Sequence, residues 1–186
     1  MDSIISISDQ LSKIRDSVEN IPEHLGSGIY AIFAKNLDCL AEFTIPSSGV
    51  IYIGISNRLE LRNHFKAKYS GFSTIRRSIG AILKNELNLS AEPRSKGNSE
   101  TNYRDFRFTG NGEKCLSLWM QSNLEYSIVD LEGDLIEIET CLISQNEPPL
   151  NLTKYENYQK KRIRHLRNQC KEEAKKIWEC NHLAKR

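Results

Sequence analysis

At 186 residues, 39% hydrophobic and 27% charged, the chain has the composition of a water-soluble globular protein long enough to bury a core, one domain with a helical appendage. It shows no run of eighteen apolar residues and no basic-then-apolar leader, so the expectation is a cytoplasmic protein without a membrane partner. A net charge of +2 conceals two basic blocks: residues 58–94 carry eight Lys/Arg against three Asp/Glu, and residues 152–186 eleven against four. The rest of the chain is acidic. Such blocks suit a surface that tracks phosphates, and equally suit solvated helix faces. The five cysteines (Cys39, Cys115, Cys141, Cys170, Cys180) are scattered and never form a Cys-x-x-Cys pair, which argues against a disulfide framework or a structural zinc site.

In chain order, residues 3–18 space Ile4, Ile7, Leu11, Ile14 and Val18 as an amphipathic helix, ended by Pro22. Residues 28–34 and 49–55 are rich in Ile, Tyr, Val and Phe and read as strands of a hairpin or meander, with a further apolar run at 40–45 between them. Ser56 or Asn57 can cap a helix over 57–69, and 74–87 repeats the helical pattern. The polar, Gly-containing stretch 90–114 reads as a long surface loop, although 103–108 alternates like a short strand. A short helix at 116–120, a strand at 124–129, and a helix at 135–145 capped by Asp134 and stopped by Pro148 and Pro149 follow. Residues 155–183 read as a long basic helix with an apolar stripe through Ile163, Leu166, Cys170, Ala174 and Trp178.

Alternation places Tyr30 opposite Ile29 and Ala31, and Tyr52 opposite Ile51 and Ile53, so both phenols can rise from one face of neighbouring strands. On the helix that follows, Arg58, Arg62 and Lys66 recur every four residues along one stripe. Each feature alone has an ordinary reading as packing or as a solvated face.

Together, Gly28-Ile-Tyr30, Tyr52-Ile-Gly54, Arg62 ten residues beyond Tyr52, Glu139 in a helical Glu-Thr-Cys-Leu-Ile, and Asn151 twelve residues later resemble the GIY-YIG nuclease family in motif and order. Residues 71–83 and 118–124 are similar to segments of its bacterial stand-alone members. The resemblance implies an α/β (α+β) sandwich, in which a three-stranded antiparallel sheet is flanked by helices, with extra N- and C-terminal helices. It divides the chain into an N-terminal helix (1–24), the nuclease domain (25–154) and a C-terminal basic helix packed on that domain (155–186).

It further implies phosphodiester hydrolysis in DNA, most naturally double-stranded, with one divalent ion, Mg²⁺ or Mn²⁺, held by Glu139. Tyr30 or Tyr52 would orient or activate water, Arg62 would hold the scissile phosphate, and Asn151 would order the site. Lys66 stands where many members carry His or Tyr, with His64 two residues earlier, and is read as a working substitute. Arg58, Arg76 and Arg77, with Lys161 and Arg164 on the C-terminal helix, are the expected nucleic-acid contacts. A fold that binds nucleic acid without cutting is the alternative, and pairing of two copies to cut both strands is left open.

Overall fold

Runs of β-branched and aromatic residues favour strands, and apolar residues three or four apart favour helices. The computed structural model describes residues 2–20, 26–56, 64–65 and 70–183. Its elements are α1 (Asp2–Lys13), β1 (Asp16–Ser17), β2 (Gly28–Ala34), β3 (Val50–Ser56), α2 (Thr74–Ile82), β4 (Ala91–Glu92), α3 (Thr101–Arg104), β5 (Arg107–Phe108), α4 (Gly110–Asn123), β6 (Leu124–Asp130), α5 (Leu135–Asn146) and α6 (Lys160–Leu183). The expected helix over 57–69 lies outside the described residues, apart from His64 and Phe65. No helix among the described residues is long and apolar enough to cross a membrane.

The chain forms two compact units, one from Met1–Phe65 with Met120–Lys160, the other from Lys66–Trp119 with Lys161–Arg186. In the first, four antiparallel strands run in the order β1-β6-β2-β3. The sheet therefore has four strands rather than three. The extra one forms because α1 stops at Lys13; Asp16 and Ser17 then pair with Tyr126 and Glu125, and Val18 is buried from a 3-10 turn instead of from a helix. Arg15 lies with its guanidinium 4.0 Å from the centre of the Phe33 ring.

Every residue of β2 is buried, as the position between β6 and β3 requires. Ile29, Ala31 and Phe33 meet Ile7 and Leu11 of α1 and Leu135, Leu142 and Ile143 of α5 in one apolar cluster. That cluster covers one face of the sheet and leaves Tyr30 and Ile32 to the other. The apolar run 40–45 is not extended: Phe43 N–H donates to Leu40 O (3.0 Å) in consecutive turns that still bury Leu40, Phe43 and Ile45. The Asp134 carboxylate caps α5 by accepting from the Ile136 and Glu137 amides, both at 3.1 Å.

In the second unit, Ser73 caps α2, which ends at Ile82 rather than reaching residue 87. The stretch expected as a surface loop is structured: β4 pairs with β5, α3 lies between them, and α4 starts at Gly110. Its aromatic residues drive this, for Tyr103, Phe106 and Phe108 are buried and the two phenylalanine rings meet edge to face at 5.6 Å. Helix α6 supplies Ile163, Cys170 and Ala174 to the interior, and burial pushes the Cys170 thiol up to about 12. The helix begins five residues later than expected because Asn157 holds a turn, donating to Pro149 O (2.8 Å) and Asn151 O (3.0 Å) and accepting from Gln159 N–H (2.9 Å).

Candidate active site

Antiparallel register places Tyr30 opposite Gly54 and Ile32 opposite Tyr52 on one side, and Ile32 opposite Tyr126 on the other. Three phenols therefore share the face that α1 and α5 leave uncovered. Tyr30 lies at the middle, its ring centre 6.0 Å from that of Tyr52 and 5.7 Å from that of Tyr126, on which it stacks. Phe65 closes on Tyr126 edge to face at 5.8 Å. The glycine of the second motif has a steric reason: a Cβ on Gly54 would stand 2.7 Å from the Tyr30 hydroxyl oxygen and 2.8 Å from Tyr52 Cε1. The phenols lean over a position that only glycine can fill.

His64 completes this group. Its Nε2 lies 3.0 Å from the Tyr30 hydroxyl, and its ring is 6.4 Å from that of Tyr52. Helical spacing from Arg62 would send His64 to another side, yet it is His64 that meets the tyrosine. Tyr126 was also missed, because strand alternation does not reveal which strand is the neighbour. Its hydroxyl is buried with no hydrogen-bond partner among the described residues, and burial drives its pKa upward.

Glu139 shares a stripe of α5 with Leu135, Leu142 and Ile143 and is only 8% exposed. A carboxylate on an apolar stripe needs a cationic partner. Lys154 provides one, its ammonium bonded to Glu139 Oε2 from a backbone in the left-handed region (φ 75°) that a lysine seldom adopts. No pattern in the sequence marks Lys154. Asn151 accepts from Ile53 N–H (2.9 Å) and donates to Ile53 O (2.8 Å), while Leu150 N–H donates to Ile51 O (3.0 Å). The segment thus lies along the free edge of β3, gripping the residue between Tyr52 and Gly54.

Of the remaining expected residues, Arg58, Arg62 and Lys66 lie outside the described residues. Lys161 and Arg164 are exposed on α6. Arg76 and Arg77 were expected on nucleic acid, and both are instead buried in structural networks of the second unit. Arg76 donates to Glu113 Oε2 (2.7 Å) and Ser117 Oγ (3.0 Å), and Glu113 Oε1 accepts from the amides of Ser70 (2.7 Å) and Phe108 (3.1 Å). Arg77 donates to the carbonyls of Ser70 (3.1 Å) and Gly71 (2.8 Å) and pairs with Asp105 (3.2 Å). Helix spacing alone cannot distinguish a buried arginine from a surface one when its carboxylate partner is distant in sequence.

Comparison with curated proteins and comparison with solved structures each returned no match. The profile of the GIY-YIG catalytic domain matches residues 28–173, from the first strand of the tyrosine cluster into α6. With most of its length covered by that profile, the chain belongs to the GIY-YIG family and has its nuclease-type fold.

Proposed function

We propose that the protein is a metal-dependent endonuclease that hydrolyses phosphodiester bonds in double-stranded DNA. The observation that carries this reading is the contact between Tyr30 and His64, with Tyr52 beside them, on the open face of the sheet. A free phenol, with a pKa near 10, is a poor base at neutral pH, whereas a phenol hydrogen-bonded to imidazole has an acceptor for its proton. In the tautomer with Nε2 unprotonated, His64 takes the Tyr30 proton as the phenol oxygen takes one from water. The hydroxide so formed attacks phosphorus, and the P–O bond breaks in line with its electron pair going to the leaving oxygen, which takes a proton from solvent. Tyr52 flanks and orients the water, and Asn151 keeps Tyr52 in place through the Ile53 backbone. Arg62 and Lys66 are proposed to hold the phosphate oxygens. Lys66 thereby acts in binding, and His64 takes over the proton transfer.

Glu139 would hold the ion. Among the described residues no group of three or more His, Cys, Asp and Glu side chains gathers as a cage, and a single hard carboxylate fits Mg²⁺ or Mn²⁺, which keeps waters and takes its other ligands from substrate phosphates. When bound, such an ion supplies Lewis-acid polarisation of the phosphoryl oxygens.

One observation favours a second reading, a nucleic-acid-binding domain that does not cut: Lys154 already neutralises Glu139. A time course on supercoiled plasmid with Mg²⁺, Mn²⁺ or EDTA separates the two. The wild type should nick or linearise the plasmid only with metal, and Glu139→Ala should lose at least about 100-fold in rate, the size of effect expected when a transition-state contact is removed. Plasmid binding without cleavage in every metal would establish the second reading instead.

A further inference from the structure

The second unit contains a cleft of about 280 Å³ whose walls, among the described residues, carry four cations and no carboxylate. Arg164, Arg167 and Lys171, with Asn168, lie at three- and four-residue spacing on one face of α6, and Arg104 and Phe106 form the opposite wall. The carboxylate that acts on Arg167 is already engaged. Asp105 is the carboxylate that favours the charged form of Arg167, and its two oxygens are held by Arg77 (3.2 Å) and Arg94 (3.5 Å). Two guanidiniums thus already hold the Asp105 carboxylate, and Arg104, Arg164, Arg167 and Lys171 add further positive charge.

Burial and the neighbouring Arg167 hold Arg77 down to about 10, and burial and Arg164 lower Arg167. Arg167 and Lys171 are partly buried and Arg104 and Arg164 are exposed at the rim, and planar guanidiniums flanking a concave wall match phosphate oxygens. At this volume, near the lower limit of about 300 Å³ for small-molecule pockets, a phosphate with its sugar fits better than a larger coenzyme.

We propose that this cleft is a second phosphate site, which holds a backbone phosphate of the bound DNA other than the one attacked. It uses none of the residues of the tyrosine cluster, and it rests on the reading of the protein as acting on DNA. Arg164 was expected on nucleic acid from charge alone; the cleft gives it Arg104, Arg167 and Lys171 as companions and a phosphodiester as ligand.

The test is fluorescence anisotropy of a labelled DNA duplex across a range of salt, with wild type, Arg164→Ala/Lys171→Ala, and the charge-keeping Lys171→Arg. Arg164 is exposed and Lys171 only partly buried, so equal melting temperatures will show that the fold is kept. The double alanine variant should bind about tenfold more weakly, and the slope of log affinity against log salt should fall by about 0.9 for each phosphate that is no longer neutralised. Lys171→Arg should retain the wild-type slope. Duplex binding by wild type and double variant with the same affinity and slope would overturn the cleft while leaving the nuclease reading intact. A wild type that neither binds nor cuts DNA overturns both. Thermal stabilisation of the wild type by inorganic phosphate, abolished in the double variant while duplex binding is unchanged, would assign the cleft to a free anion and overturn the backbone role.

Discussion

Gly54 shows how one absent side chain organises the tyrosine cluster. The hydroxyl end of Tyr30 and the edge of Tyr52 occupy the volume that a Cβ would need, with approaches of 2.7 and 2.8 Å. Tyr30 has little room to yield, being 3% exposed and held between the Tyr126 ring and His64. Gly54→Ala should therefore push the Tyr30 hydroxyl off His64. The expected cost in stability is about 1–3 kcal/mol, the range for overpacking a filled site. The expected loss in cleavage is larger in proportion, about 100-fold, because displacement by an ångström is enough to spoil a reacting geometry. Plasmid cleavage rates beside a thermal melt check this, and wild-type cleavage by the alanine variant would remove Tyr30 from the proposed mechanism.

Among the helices and strands, the carboxylate of Glu113 in α4 ties Arg76 of α2, the Ser70 amide and the Phe108 amide of β5 together. Arg76 is completely buried, so removing its partner leaves a charge in the interior. Glu113→Ala should lower stability by about 3–5 kcal/mol in denaturant unfolding, whereas Arg76→Met/Glu113→Leu should recover only the part due to the stranded charge, because the Ser70 and Phe108 amides still lose their acceptor. A small effect of the single substitution would mean that water reaches Arg76. This network was illegible in the sequence, where Arg76 and Glu113 are 37 positions apart and each sits among polar neighbours. Around Phe106 and Phe108 the alternation over 103–108 hinted at a strand, but the partner strand Ala91–Glu92 is too short to impose a period of its own. By contrast β2, β3, β6 and α5 could be read directly, because periodicity extends along each and glycine, Asp134 or proline marks its ends. Tyr30, Tyr52, Glu139 and Asn151 were visible as a motif, while Tyr126, His64 and Lys154 depended on strand order or on irregular backbone.

The charge distribution of the chain follows the same division between pattern and partnership. Both basic blocks were visible in the sequence, yet α6 is more than a cationic surface: Ile163, Cys170 and Ala174 are inaccessible to solvent, and Glu173 pairs with Lys84 (3.1 Å) and accepts from the Ala91 amide (3.2 Å). Burying a large apolar side chain contributes about 1.5–3 kcal/mol, and a domain has only about 5–15 kcal/mol of net stability in total. A chain ending at Gln159 forfeits this packing and pairing together. Residues 70–119 should then fail to hold their fold, and limited proteolysis should cut rapidly near Phe106 and Phe108, which are sequestered in the full chain. The sheet carrying the tyrosines belongs to the other compact unit, so its protection should outlast that of residues 70–119 in hydrogen exchange. A shortened chain with the full-length cleavage pattern would show instead that α6 is dispensable to the interior and serves only as a carrier of positive charge.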